Sequence, residues 1–147
     1  SYSGKEAITE ETVRLLTPTT FETDVFKTID ALARRDIPEA LRLLLEHKGA
    51  GDDPFQLFSM FAYEVRTLLV IKEAQEKGFE KELTSVYKLH PYVVRKNNAL
   101  ARAFQLQNLV RLHSTLATAD LAVKTGRKEA YEALEDVILA FEASPVL

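Results

Sequence analysis

Between Asp53-Pro54 and Gly78 runs one segment that is apolar at helical spacing on two sides. Phe55, Phe58, Ala62, Val65 and Leu69 form one stripe, and Leu57, Met60, Phe61, Leu68 and Ile71 form a second. An amphipathic surface helix has one apolar face; a helix with two must be covered from both sides. The start is an Asp N-cap followed by Pro at the first helical position, and the stop near Glu76 is set by Gly78. This segment predicts a central, mostly buried spine, and the rest of the chain must then supply helices to surround it.

The flanking segments read the same way. Thr9 caps a short helix with Glu10 and Glu11 in its first turn and Ile8 and Val13 as a hydrophobic staple; it ends near Leu16, before Pro18. Thr17-Pro18-Thr19-Thr20 reads as a linker. A helix over 22–34 turns inward Val25, Phe26, Ile29, Leu32 and Ala33. Asp36 caps another, with Ile37, Ala40, Leu41, Leu44 and Leu45 as its inner face and Gly49 and Gly51 at its end. The short connection between these two predicts an antiparallel hairpin. Residues 80–89 are less regular. His90-Pro91 opens a helix to about Ala103. A long one follows over 105–125, with Leu109, Leu112, Leu116 and Val123 inward and Gly126 at its C-cap. The last spans about 128–143, with Ala130, Leu134, Val137 and Phe141 inward, and Ser144-Pro145 closes it. No stretch alternates as a strand does, so the predicted fold is all-α, a compact bundle of about seven or eight helices.

The chain has 147 residues, 46% of them hydrophobic and 28% charged, with no cysteine. That length fits one domain with a short remnant of a neighbour and buries a core without disulfides or metals. A disulfide framework and a thiolate metal site are excluded. No apolar run reaches the roughly 18 residues of a membrane span, and no apolar stretch follows the N-terminus as in a signal peptide. The expected location is the cytoplasm. The chain opens in mid-pattern without Met, which predicts a piece cut at a domain boundary.

No reactive constellation stands out. Ser3-Gly4-Lys5-Glu6 lacks the upstream glycine of a phosphate-binding loop and has Glu6 where Ser or Thr is required. His47, His90 and His113 have no second His or Glu at the spacing of a zinc or di-iron helix motif, so no metal or cofactor is expected. Glu64 and Arg66 interrupt the spine two residues apart, on different faces; each is either partnered by a neighbouring helix or part of an interface with another subunit. The surface feature with a job to offer is charge. From Leu83 to Ala119 there is no Asp or Glu, while Lys88, Arg95, Lys96, Arg102 and Arg111 give that window a net charge of +5. The remaining 14 of the 19 cations face all 22 acids, a net of −8. On a helix from Pro91, Tyr92, Arg95, Ala99 and Arg102 share one face, with Lys96 beside it. Such a tyrosine can stack on an unpaired base while the cations follow phosphates. The alternative is a solvated face with one surface aromatic.

Four stretches, in this order and spacing, resemble the C-terminal third of the DNA polymerase III delta subunit of bacterial clamp loaders. They are Phe26-Lys27-Thr28-Ile29-Asp30-Ala31-Leu32 with Ala40-Leu41-Arg42-Leu43-Leu44; Arg66-Thr67-Leu68-Leu69; His90-Pro91-Tyr92-Val93-Val94-Arg95-Lys96; and Ala119-Asp120-Leu121-Ala122-Val123-Lys124-Thr125-Gly126. Ile8-Thr9-Glu10-Glu11-Thr12-Val13 is similar to the closing helix of the preceding AAA+ lid domain. The resemblance implies that residues 1–18 end that lid domain and its linker, and that residues 19–147 are the helical collar domain. It implies assembly with gamma/tau-type and delta-prime-type subunits into a collar. That collar would hold AAA+ modules that open the sliding clamp and load it onto primed DNA. The clamp itself would be gripped only by an N-terminal module absent from this chain. The parent subunit would belong to a DNA-directed DNA polymerase holoenzyme, a nucleotidyltransferase assembly, without hydrolysing ATP itself. Tyr92, Arg95, Lys96, Arg102 and Lys124 become candidates for the DNA-facing side, and Glu64 and Arg66 for a subunit interface. The rival readings are a helical adaptor or regulatory interaction domain unrelated to replication and, more remotely, an enzyme with a metal site in the bundle core.

Overall fold

The computed structural model describes the backbone of residues 20–143 and the side chains from Asp24 onward. The expected helix after Thr9, the linker residues Thr17-Pro18-Thr19 and the closing Ser144-Pro145 lie outside the described residues; Thr20, expected in the linker, instead opens the first helix. Within them the chain forms seven helices: α1 Thr20–Ala33, α2 Ile37–Gly49, α3 Pro54–Lys77, α4 Glu82–Ser85, α5 Pro91–Ala103, α6 Leu106–Lys124 and α7 Ala130–Glu142. No strand occurs among the described residues.

The helix ends follow local chemistry. The Asp53 carboxylate accepts from the Phe55 N–H at 3.0 Å, and Asp36 accepts from Glu39 at 3.2 Å. Both satisfy donors that the first turn of a helix leaves open. His90, expected only to sit in a turn, is itself an N-cap: its Nδ1 accepts from the Tyr92 N–H at 3.0 Å. Gly78 ends α3 at φ 81°, a left-handed conformation that glycine takes without the Cβ clash. Gly126, at φ 75°, stands one residue past the C-cap Thr125. After α1 the same left-handed turn is taken by Arg35 at φ 58°, with Asp36 N–H donating to Ala31 O at 2.8 Å. A non-glycine residue there costs roughly 1–2 kcal/mol. The Arg35 guanidinium in turn lies 5.4 Å above the Phe141 ring, a cation–π contact that offsets part of that cost.

α3 is the spine. It packs against α6 and α5 most extensively and also touches α1, α4 and α7. Leu57, Val65, Leu68, Ile71 and Ala74 are fully buried along it, and Phe58 and Phe61 nearly so. α1 and α2 form one hairpin, α6 and α7 another, and α2 lies along α7. The Tyr131 hydroxyl at the start of α7 donates to the Asp52 carbonyl at 2.6 Å, tying that helix to the turn before the spine. At the other end of α7, Phe141 meets Phe104 edge-on at 5.9 Å.

Two expected core residues are outside. Leu45 is 60% exposed and Phe55 61% exposed, whereas Leu43, not singled out, is buried. On α2 the buried arc is centred on Ile37, Ala40, Leu44 and His47, so Leu43 falls within it and Leu45 beyond it. Phe55 lies in the first turn of α3 on its solvent side, while Leu57 of the same turn is fully buried. His47, welcome in a last turn for its charge, is instead buried, its Nδ1 2.7 Å from Asp52 Oδ2.

Candidate functional site

α5 is held by α3, α1 and α4. Asn97, Leu100 and Ala101 are buried toward the core, and the Gln75 side chain of α3 donates to the Asn98 carbonyl at 3.1 Å. The opposite face carries the predicted stripe. Arg95, Ala99 and Arg102 are exposed there and Tyr92 is half-buried at its head. The stripe is therefore a surface feature, but its charges are unevenly available. The Lys96 ammonium sits 4.9 Å above the Phe26 ring of α1. Arg102 pairs with Glu80 at 3.8 Å. Glu80 lies three residues before the acid-free window, so a window in sequence could not show it. Arg95 is the candidate cation for which the described residues offer no ion pair or ring contact.

Lys124 does not join this group. It lies in the last turn of α6, paired with Asp120 at 2.8 Å. The α6–α7 turn that follows is fixed to Asp52 by Tyr131, whereas Arg102 lines a cavity with Lys72 and Glu76 late in α3. Some twenty residues of α3 separate these levels, about 30 Å at the helical rise. Glu64 is half-buried and Arg66 exposed on different faces of α3, so the structure does not bring them together.

The cavity beside Arg102, of about 600 Å³, opens between α3 and the α5–α6 junction and mixes Lys72 and Arg102 with Glu76. Among the described residues no three His, Asp or Glu converge to hold a metal ion. No described helix is long and apolar enough to cross a membrane. Perturbed acids have structural causes. The Arg42 side chain, bonded to Glu39, holds that carboxyl below the usual carboxylate range. The Glu129 carboxyl is held low because it caps α7, accepting from the N–H groups of Tyr131 and Glu132 at 3.1 and 3.0 Å.

Sequence reasoning missed a second surface, on the other side of the spine. Leu44, Leu45 and Lys48 of α2 face Tyr131, Glu132 and Glu135 of α7, with Glu129, across a cleft of about 220 Å³. Its signals were present: a leucine off the buried arc of α2, and glutamates at 129, 132 and 135 on the helix alongside.

The fold and sequence have relatives. The DNA polymerase III subunit delta of Bacillus subtilis is 27% identical over 136 residues, covering 92% of this chain and 39% of that protein. The solved Bacillus subtilis DNA clamp loader delta protein, YqeN, superposes with a TM-score of 0.77 at 26% identity, over 90% of this chain and 39% of that one. The chain thus spans about two fifths of the length of these relatives. A family profile described as DNA polymerase III delta subunit, C-terminal domain, matches residues 22–141, which takes in every described helix but the first residues of α1 and the last of α7. With that profile spanning most of the chain and the described residues folded as helices like those of the solved relative, the chain belongs to the family of C-terminal domains of DNA polymerase III delta subunits.

Proposed function

We propose that this domain is the oligomerisation element of a clamp-loader delta subunit, joining gamma/tau-type and delta-prime-type neighbours in a collar above their AAA+ modules. The reading is carried by the family match over 22–141. In it, residues 1–18 close the preceding lid domain and residues 19–147 form the collar domain. The sliding clamp is gripped by an N-terminal module of the longer protein, nucleotidyl transfer belongs to other subunits of the holoenzyme, and the assembly works in the cytoplasm. The domain's own contribution is positional: a buried spine gives it a rigid shape, and its outer faces set the angle at which neighbours meet.

The exposed face of α5 is the side that we assign to primed template DNA. Arg95 is its centre, Tyr92 a stacking platform, and Arg102 and Lys96 are cations that must exchange Glu80 and Phe26 for phosphate. Lys124, at the far end of the spine, lies outside such a footprint. In the full-length subunit, assembled with its loader partners, R95E/K96E should leave co-elution intact. Loader affinity for primed DNA should fall about tenfold near 0.1 M salt, and the log–log salt dependence should flatten by roughly 1–2. Unchanged affinity and slope would remove DNA from this face; failure of the unaltered subunit to co-elute would remove the collar reading itself.

A further inference from the structure

The acidic cleft between α2 and α7 has no role in the reading of the α5 face, and its composition is that of a docking site. Its floor is apolar: Leu44 is buried, and Leu45 stands 60% exposed at its edge. Leu41 continues the same α2 face one turn earlier and is half-buried. Leu45 with half-buried Leu41 beside it gives the cleft an apolar edge that a partner side chain can cover. On α7, Leu139 is 43% exposed, seven residues after Glu132 and four after Glu135, on the same outward face.

The rim is acidic. Glu132 and Glu135 are exposed and have no ion-pair partner among the described residues, while Lys48 faces Glu129, whose carboxylate is already engaged as the α7 cap. Beyond Leu45, Arg42 is held between Glu39 and Glu46 of its own helix and projects no unmatched positive charge. Counting Glu129, Glu132 and Glu135 against Lys48, the residues that line the cleft carry a net charge of −2. Such a face repels nucleic acid and attracts a cationic protein surface. It also lies away from α5, which packs on α3, α1 and α4 and bears the acid-free stripe.

We infer that the α2–α7 cleft receives a basic helical face of a neighbouring loader subunit, with an apolar side chain of that helix on Leu45 and its Lys or Arg residues on Glu132 and Glu135. This rests on the collar reading above and names the surface and the chemistry of one neighbour. The test uses the full-length subunit and the purified remaining loader subunits of its source organism. Affinity is measured by sedimentation at 0.1 and 0.5 M salt, with circular dichroism to confirm that the variants fold. E132K/E135K should weaken assembly at least about tenfold at the lower salt, with a much smaller effect at the higher. L45D should weaken it at both. Normal assembly by both folded variants, within twofold of the unaltered subunit, overturns the cleft while leaving the collar reading standing. No assembly by the unaltered subunit overturns both. If the same substitutions abolish self-association of the subunit alone, or if assembly becomes sensitive to them only after residues 1–18 are removed, the occupant is a second copy or the chain's own leading segment, and the assignment to a neighbour fails.

Discussion

Leu68→Ala should destabilise the domain by about 3 kcal/mol in guanidinium unfolding followed by circular dichroism, with the slope of the transition unchanged. Leu68 is fully buried in the middle of α3, the helix on which α1, α5, α6 and α7 all pack. Truncating it removes apolar area from the core and leaves a cavity that helices fixed on several sides cannot collapse into, and both effects act in the same direction. Phe55→Ala, on the same helix, should change stability by less than about 0.5 kcal/mol, because the ring is 61% exposed and loses little contact. The contrast separates a spine buried by tertiary packing from a helix that is merely apolar. Equal losses at the two positions would contradict the placement of α3.

Phe141→Ala should cost about 3–4 kcal/mol, within the range for deletion of a buried aromatic ring. Phe141 is 4% exposed near the end of α7 and joins two turns distant in sequence: its ring meets Phe104 at the α5–α6 junction and carries the Arg35 guanidinium at the α1–α2 turn. Losing it therefore costs area, an edge-on aromatic contact and the support of a strained left-handed residue together. Native-state hydrogen exchange should show α7 opening before α3, from the end that Phe141 anchors, because Tyr131 on Asp52 and the buried Leu134 and Val137 still hold its earlier turns. Because α7 carries Glu132 and Glu135, the variant should also weaken any contact made through the α2–α7 cleft. Uniform loss of protection across all helices would show that α7 is not a separable unit.

Helix placement was readable from the chain because its signals are local. Asp36, Asp53-Pro54, His90-Pro91, Gly78 and Gly126 each mark a terminus within a residue or two of where the structure puts it. The spine was readable because two apolar stripes on one long helix permit little else. The errors arose where burial depends on neighbours. Leu45 and Phe55 have the right residue type at nearly the right angle, yet no helix covers them. His47 is buried because Asp52, five residues on, folds back to it. For the candidate site, a net charge counted along the chain ignores what folding brings alongside. Glu80 reaches Arg102, the Phe26 ring takes Lys96, and Lys124 pairs with Asp120 of its own helix. The leucine and glutamates of the α2–α7 cleft stand in the sequence, but on helices some ninety residues apart, so no local window shows that they face one another.

The central claim is that this domain acts by holding loader subunits together, and deleting it tests that most directly. The full-length subunit and a version ending before residue 19 of this chain are each mixed with the remaining loader subunits and weighed by native mass spectrometry. The account predicts that the complete subunit enters a single closed assembly and that the shortened one is excluded from it. Equal incorporation of both would contradict it.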